Sequence, residues 1–173
     1  KMLDRGNIIE LTFLKLGEVG NLYSDNRTEQ YKIAETLFKN ILETVATDTD
    51  FLFNATTVKL DKNINSKNDF DENRYNVPND FLSLVRYNDS MKFEGEFFYS
   101  KNDELNVTYC RKIALEEYPD YMKNYLIYKL AVELCGAYSA YQDKLNYMQA
   151  NLNSEKIKIS NNEGLVISDF LGG

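Results

Sequence analysis

The chain has no histidine and no tryptophan, only two prolines and two cysteines, and eight glycines spread over 173 residues. Each scarcity excludes something. Without histidine there is no side chain that ordinarily titrates near neutrality, no Ser-His or Cys-His nucleophile pair, and no common transition-metal ligand set. Cys110 and Cys135 stand far apart in apolar patterns. They read as small buried apolar residues, and nothing requires them to pair. No apolar run approaches the roughly 18 residues a membrane-spanning helix needs. The opening KMLDRGNIIELTF is too charged for a secretory signal, so the sequons at Asn26, Asn54 and Asn106 carry no expectation of glycosylation. The glycines nowhere gather into a phosphate-cradling loop.

What is present is an ordinary globular composition, 43% hydrophobic and 27% charged. A chain of this size suits one domain, with or without arms, and buries roughly 70% of its unfolded surface without staples. Acidic residues outnumber basic ones 27 to 20, for a net charge of −7. That balance argues against a grip on nucleic acid built from neutralised phosphates. It is compatible with DNA sliding past an acidic wall.

Periodicity predicts a mainly α chain with a small antiparallel β-hairpin or sheet. The α+β architecture expected is a helical bundle core, a projecting β element and an extended C-terminal arm. Helices are expected at about 4–16, 28–47, 120–135 and 139–154. The first carries Ile8, Ile9, Phe13 and Leu16, with Gly17 as the residue that ends it. The second carries Ile33, Ala34, Leu37, Phe38, Ile41, Leu42 and Val45, capped by Ser24, Asp25 or Thr28. The third starts behind Pro119 and is apolar on so many sides that it must be covered on most of them, with a break or kink at Gly136. The fourth shows Tyr141, Leu145, Met148 and Leu152.

Strand character is expected at about 51–60 and 93–110. Phe93, Phe97 and Tyr99 would lie on one arm of a hairpin, Leu105, Val107 and Tyr109 on the other, and SKND would turn between them. Asp61–Asn73 is polar and aperiodic and reads as a long loop. In RYNVPNDFLSLVRYND, Pro78 biases Val77 toward an extended form and Asn79-Asp80 favours a turn. FLSLVRYN then reads as a short strand or one helical turn. Residues 1–158 form the domain and 159–173 the arm.

Candidate chemistry is sparse. Asp61, Asn63, Asn65, Asp69 and Glu72 fall at positions 1, 3, 5, 9 and 12 of a calcium-loop pattern. Ser66 stands where that loop wants glycine, and a strand rather than a helix precedes it, so no metal is assigned. Asp48 and Asp50 read as helix-terminating polar residues. Glu116, Glu117 and Asp120 cluster at a helix start, where carboxylates suit the helix dipole. Thirteen tyrosines without basic interleaving suit core and interface packing better than base stacking. No catalytic residue, cofactor or enzyme activity is expected.

The order of parts carries more than any residue. Two helices are followed by a strand, the Tyr75-x-x-Pro78-x-Asp80-Phe81-Leu82 element, the LNVTYCRK strand (Leu105–Lys112), and a Tyr/Leu/Ala helix after Pro119. Over roughly residues 3–155 this resembles the head-to-tail adaptor family of short-tailed phages, the tail tubular protein A group. The sequence departs from it in having no tryptophan near Asp50–Phe53. The resemblance implies a structural virion protein at the head-to-tail interface, assembled in the host bacterial cytoplasm. It implies a dodecameric ring with the portal protein above and the tail tube or nozzle protein below. Double-stranded DNA would pass along the channel at genome ejection without specific binding, and no membrane is involved. On that reading the arm would dock a partner through Leu165, Val166, Ile167, Phe170 and Leu171. The competing readings are a head-completion connector of a long-tailed phage or gene-transfer particle, and a small calcium-binding or regulatory helical domain.

Overall fold

The computed structural model describes residues 2–18, 28–68, 70–86 and 90–171, the side chains of 64–66 and 165–171 excepted. The chain divides into two compact units. One is helical and discontinuous, made of Lys1–Val45 and Ala114–Gly173; the other, Ala46–Ile113, is inserted into it and holds the strands. The fold is α+β and mainly helical, as the periodicity predicts.

In the helical unit, α1 (Arg5–Lys15) begins where the Asp4 carboxylate accepts a hydrogen bond from the Asn7 backbone N–H at 2.8 Å. It ends in a Schellman motif: Glu18 N–H reaches Phe13 O at 2.9 Å and Gly17 N–H reaches Leu14 O at 3.0 Å. Gly17 takes a φ of 84°, which a side chain would resist. For α2 (Glu29–Thr47), Thr28 is the capping residue, accepting from Tyr31 N–H at 3.3 Å. Ser24 and Asp25 lie outside the described residues.

α3 (Lys123–Ala137) is the central helix. Eight of its fifteen residues are buried, and α1 and α4 both pack on it. It ends at Ala137, one residue past Gly136 where a break or kink is expected, and Tyr138 is extended. Ser139–Lys144 then forms a 3-10 turn, so the fourth helix starts later than its apolar pattern suggests.

That fourth helix also ends much later. α4 spans Leu145–Leu171, and the segment read as an extended arm from 159 is helical. The reason lies in the stripe. Its buried positions are Met148, Leu152, Glu155, Ile159 and Glu163, a regular step of three or four. Two glutamates interrupt the apolar pattern, so the periodicity fades after Leu152 although the helix does not.

Among the described residues the inserted unit holds seven strands: β1 (Ala55–Lys59), β2 (Lys62–Lys67), β3 (Asn73–Asn76), β4 (Phe81–Leu84), β5 (Met91–Glu94), β6 (Phe97–Ser100) and β7 (Asn106–Arg111). They form two antiparallel sheets, ordered β1-β7-β4 and β2-β3-β6-β5. Two expectations fail here. The Asp61–Asn73 loop is largely a hairpin, β2 pairing with β3. Its first strand has a single apolar residue, Ile64, which hides the alternation. The single hairpin at 93–110 is really two pieces. Its first arm folds on itself at Gly95-Glu96, with Gly95 at φ 63°. SKND then carries the chain from one sheet to the other, and β6 pairs with β3 and β5 rather than with β7.

The core of this unit draws on both sheets: Leu60, Tyr75, Met91, Phe98, Leu105, Val107 and Tyr109 are buried together. The chain's way in and way out are clasped by one side chain. Asn54, 1% exposed, donates from Nδ2 to Ala46 O at 2.8 Å and to Arg111 O at 2.9 Å. Asn54→Ala leaves both carbonyls without that donor, and the expected loss is about 2–3 kcal/mol. Urea denaturation of the two proteins checks it.

Candidate functional site

The Tyr75–Leu82 stretch joins the two sheets, and Tyr75, Pro78, Asp80 and Phe81 each have a task. Tyr75 is fully buried on β3, its hydroxyl donating to Asn102 O. Pro78 O accepts from Phe81 N–H at 3.1 Å, closing the turn between β3 and β4. The backbone oxygen of Asp80 accepts from Lys112 N–H at 2.7 Å, and its carboxylate accepts from the Tyr109 hydroxyl at 2.8 Å. Phe81 reaches Phe93, Phe98 and Tyr109 with ring centroids 5.5, 5.6 and 5.5 Å away.

Beside this stretch lies an open cleft of about 360 Å³, with Val58, Leu60, Val77, Pro78 and Tyr109 among its walls and Lys59 and Asp61 among its polar residues. Burial, and then the neighbouring Asp80 as hydrogen-bond acceptor and negative charge, push the Tyr109 phenol up to about 12. A raised phenol pKa favours the folded state below the ordinary value near 10. That contribution is lost as pH climbs through about 12, because the unfolded chain ionises first. Asp80→Asn is expected to bring the Tyr109 ionisation down only part of the way, since burial is the larger cause. An ultraviolet pH titration reads this directly.

The described groups whose titration is shifted move away from the range that general acid–base work uses. Burial raises the phenols of Tyr75, Tyr118, Tyr121, Tyr138 and Tyr141 and the thiol of Cys135. Hydrogen bonding lowers the carboxyls of Asp71 (from Lys67), Glu72 (from Asn68) and Asp103 (from Lys62). Every one of these shifts leads away from neutrality.

The calcium-pattern residues take up a different frame from helix–loop–helix. Asn63 and Asn65 stand on β2, Asp61 just before it and Glu72 just before β3. Asp69 lies outside the described residues, as does the side chain of Asn65. The Glu72 carboxylate already accepts from Asn68 Nδ2 at 2.7 Å and pairs with Lys92 at 3.2 Å. Among the described residues, no three carboxylate or cysteine side chains gather as a metal site.

Two of the other acidic candidates serve the backbone. Asp48 Oδ1 accepts from Asp50 N–H at 2.9 Å, and Glu117 accepts from Ala114 N–H at 2.9 Å. Asp120 opens the 3-10 turn ahead of α3. Leu165, Val166, Ile167, Phe170 and Leu171 fall in the last turns of α4, and their side chains lie outside the described residues. Sequence reasoning missed two residues that the structure singles out. Glu163 is 2% exposed and accepts from the Tyr121 hydroxyl at 3.2 Å. Arg74 is stacked on Phe97. Neither stands in a motif, and only the helical step from Ile159 and the strand alternation around Tyr75 pointed to them.

No protein-family model matches this chain, and no curated protein matches it.

Proposed function

We propose that this chain is a structural subunit of the connector ring between the portal and the tail tube or nozzle of a short-tailed phage. In that role it is a virion protein forming a homo-oligomeric ring, dodecameric by resemblance. The portal protein lies above it, the tail protein below, and DNA passes through the channel. The observation that carries the reading is the order of parts: a sheet unit inserted between the helices, with the Tyr75–Leu82 stretch joining its two sheets. The same succession of parts underlies the resemblance to the adaptor family.

The use of chemistry supports it as well. The Tyr75 hydroxyl and the Asp80 carboxylate of that stretch are spent inside the fold, as expected of an architectural element. The acidic balance suits a channel that DNA must leave freely. A head-to-tail ring is a heterologous contact that closes, so each subunit needs two different side surfaces besides those for the proteins above and below.

The reading is tested by sedimenting the full chain with purified portal rings. Co-migration in a stoichiometric ratio is expected. Separate migration, together with turnover of a substrate or tight retention of a small ligand, contradicts it.

A further inference from the structure

The outer face of the four-stranded sheet presents a guanidinium without an acid. Tyr75, Met91 and Phe98 are turned into the core, so their strand neighbours Arg74, Lys92, Phe97 and Tyr99 share the opposite face. The register sets Asn63, Arg74, Tyr99 and Lys92 in one row across all four strands. Arg74 Cζ lies 3.4 Å from the centroid of the Phe97 ring, a close cation–π stack.

Among the described residues, the Arg74 guanidinium makes no hydrogen bond and no ion pair, and its Nε is buried without an acceptor. Four lysines of the same unit are paired. Lys59 pairs with Glu104, Lys62 with Asp103, Lys67 with Asp71 and Lys92 with Glu72. With the guanidinium stacked on the ring, its Nη atoms, which are not among the buried unpartnered atoms, are the donors left for the fork that a carboxylate fits.

We propose that Arg74, on its Phe97 platform, receives a carboxylate of a second copy of this chain. Charge complementarity selects that occupant. The chain carries 27 acidic against 20 basic residues, so a neighbouring copy offers carboxylates in excess. A nucleic-acid backbone is the poorer match, because phosphate binding draws on several cations at once. Here Lys92 is already tied to Glu72, and the exposed Glu94 faces the same way as Phe97. The contact is heterologous, an arginine face meeting an acidic surface elsewhere on the neighbour, and so rests on the ring reading above.

The test compares the full-length chain with Arg74→Ala, Arg74→Lys and Phe97→Leu, each first checked for native circular dichroism. Assembly is followed by sedimentation velocity over a concentration series, alone and on portal rings. Arg74→Ala is expected to raise the concentration of half-assembly by at least about tenfold. Arg74→Lys should not restore it, Phe97→Leu should weaken it in the same direction, and added salt should weaken the unsubstituted chain most.

If Arg74→Ala assembles as readily as the unsubstituted chain, the arginine contact is overturned while the ring reading stands. If the unsubstituted chain assembles neither alone nor on portal rings, both fall. If it instead binds a labelled oligothymidylate that Arg74→Ala does not, nucleic acid is the occupant and the proposal is overturned.

Discussion

Phe98→Ala is expected to destabilise the sheet unit by about 3–5 kcal/mol. Phe98 is fully buried on β6, in the middle of a core built from both sheets. Its ring lies 4.8 Å from Phe93 and 5.6 Å from Phe81, nearly edge-on to the latter. Removing it forfeits the transfer energy of the ring and the aromatic contacts, and it leaves a cavity between two sheets that cannot both collapse onto it. Phe93 touches the same cluster but is 46% exposed, so Phe93→Ala should cost clearly less. Hydrogen exchange locates the effect. The amides of β3, β6 and β7 should lose protection in Phe98→Ala, and an equal loss in both variants would contradict the assigned core.

Ending the chain at Lys158 is expected to destabilise the helical unit by about 1–3 kcal/mol. The cut removes Ile159, 1% exposed, and the Glu163 carboxylate that accepts the Tyr121 hydroxyl. Ile159 alone contributes about 1.5–3 kcal/mol of burial. Taking away the buried Glu163 offsets part of that loss, because a desolvated carboxylate is costly even when hydrogen-bonded.

A chain ending at Gly164 keeps every described contact of α4 and so separates packing from docking. If Leu165, Val166, Ile167, Phe170 and Leu171 dock a partner, this shorter cut abolishes attachment to portal rings without the stability loss of the longer one. Thermal melts and co-sedimentation of the two truncations distinguish these effects. Normal attachment of the chain ending at Gly164 would remove the docking role from those five residues.

These predictions follow the line between what the sequence makes legible and what it conceals. Where one face of an element is apolar and its end has a capping residue, the reading succeeds. Gly17 closes α1, Thr28 caps α2, and the all-round apolar 120–135 segment becomes the buried α3. Where a polar residue occupies a buried position, the pattern misleads. Glu155 and Glu163 break the stripe of α4 and make a helix look like an extended arm.

β2 fails for the reverse reason: Ile64 is its one apolar residue among Lys62, Asn63, Asn65, Ser66 and Lys67, too little to show an alternation. Glu94-Gly95-Glu96 was the overlooked turn signal, a glycine between polar residues with aromatic residues on both sides. The Tyr75–Leu82 stretch was visible as architecture. Its partners Asn102, Lys112 and Tyr109 are far enough away in sequence that no local pattern could name them.

The measurement that bears most directly on the proposed role is cryo-electron microscopy of the full chain mixed with portal rings. The account predicts a second ring of this chain stacked beneath the portal, in register with its symmetry and open along the axis. Portal rings that remain bare, beside dispersed single chains at saturating concentration, would contradict it.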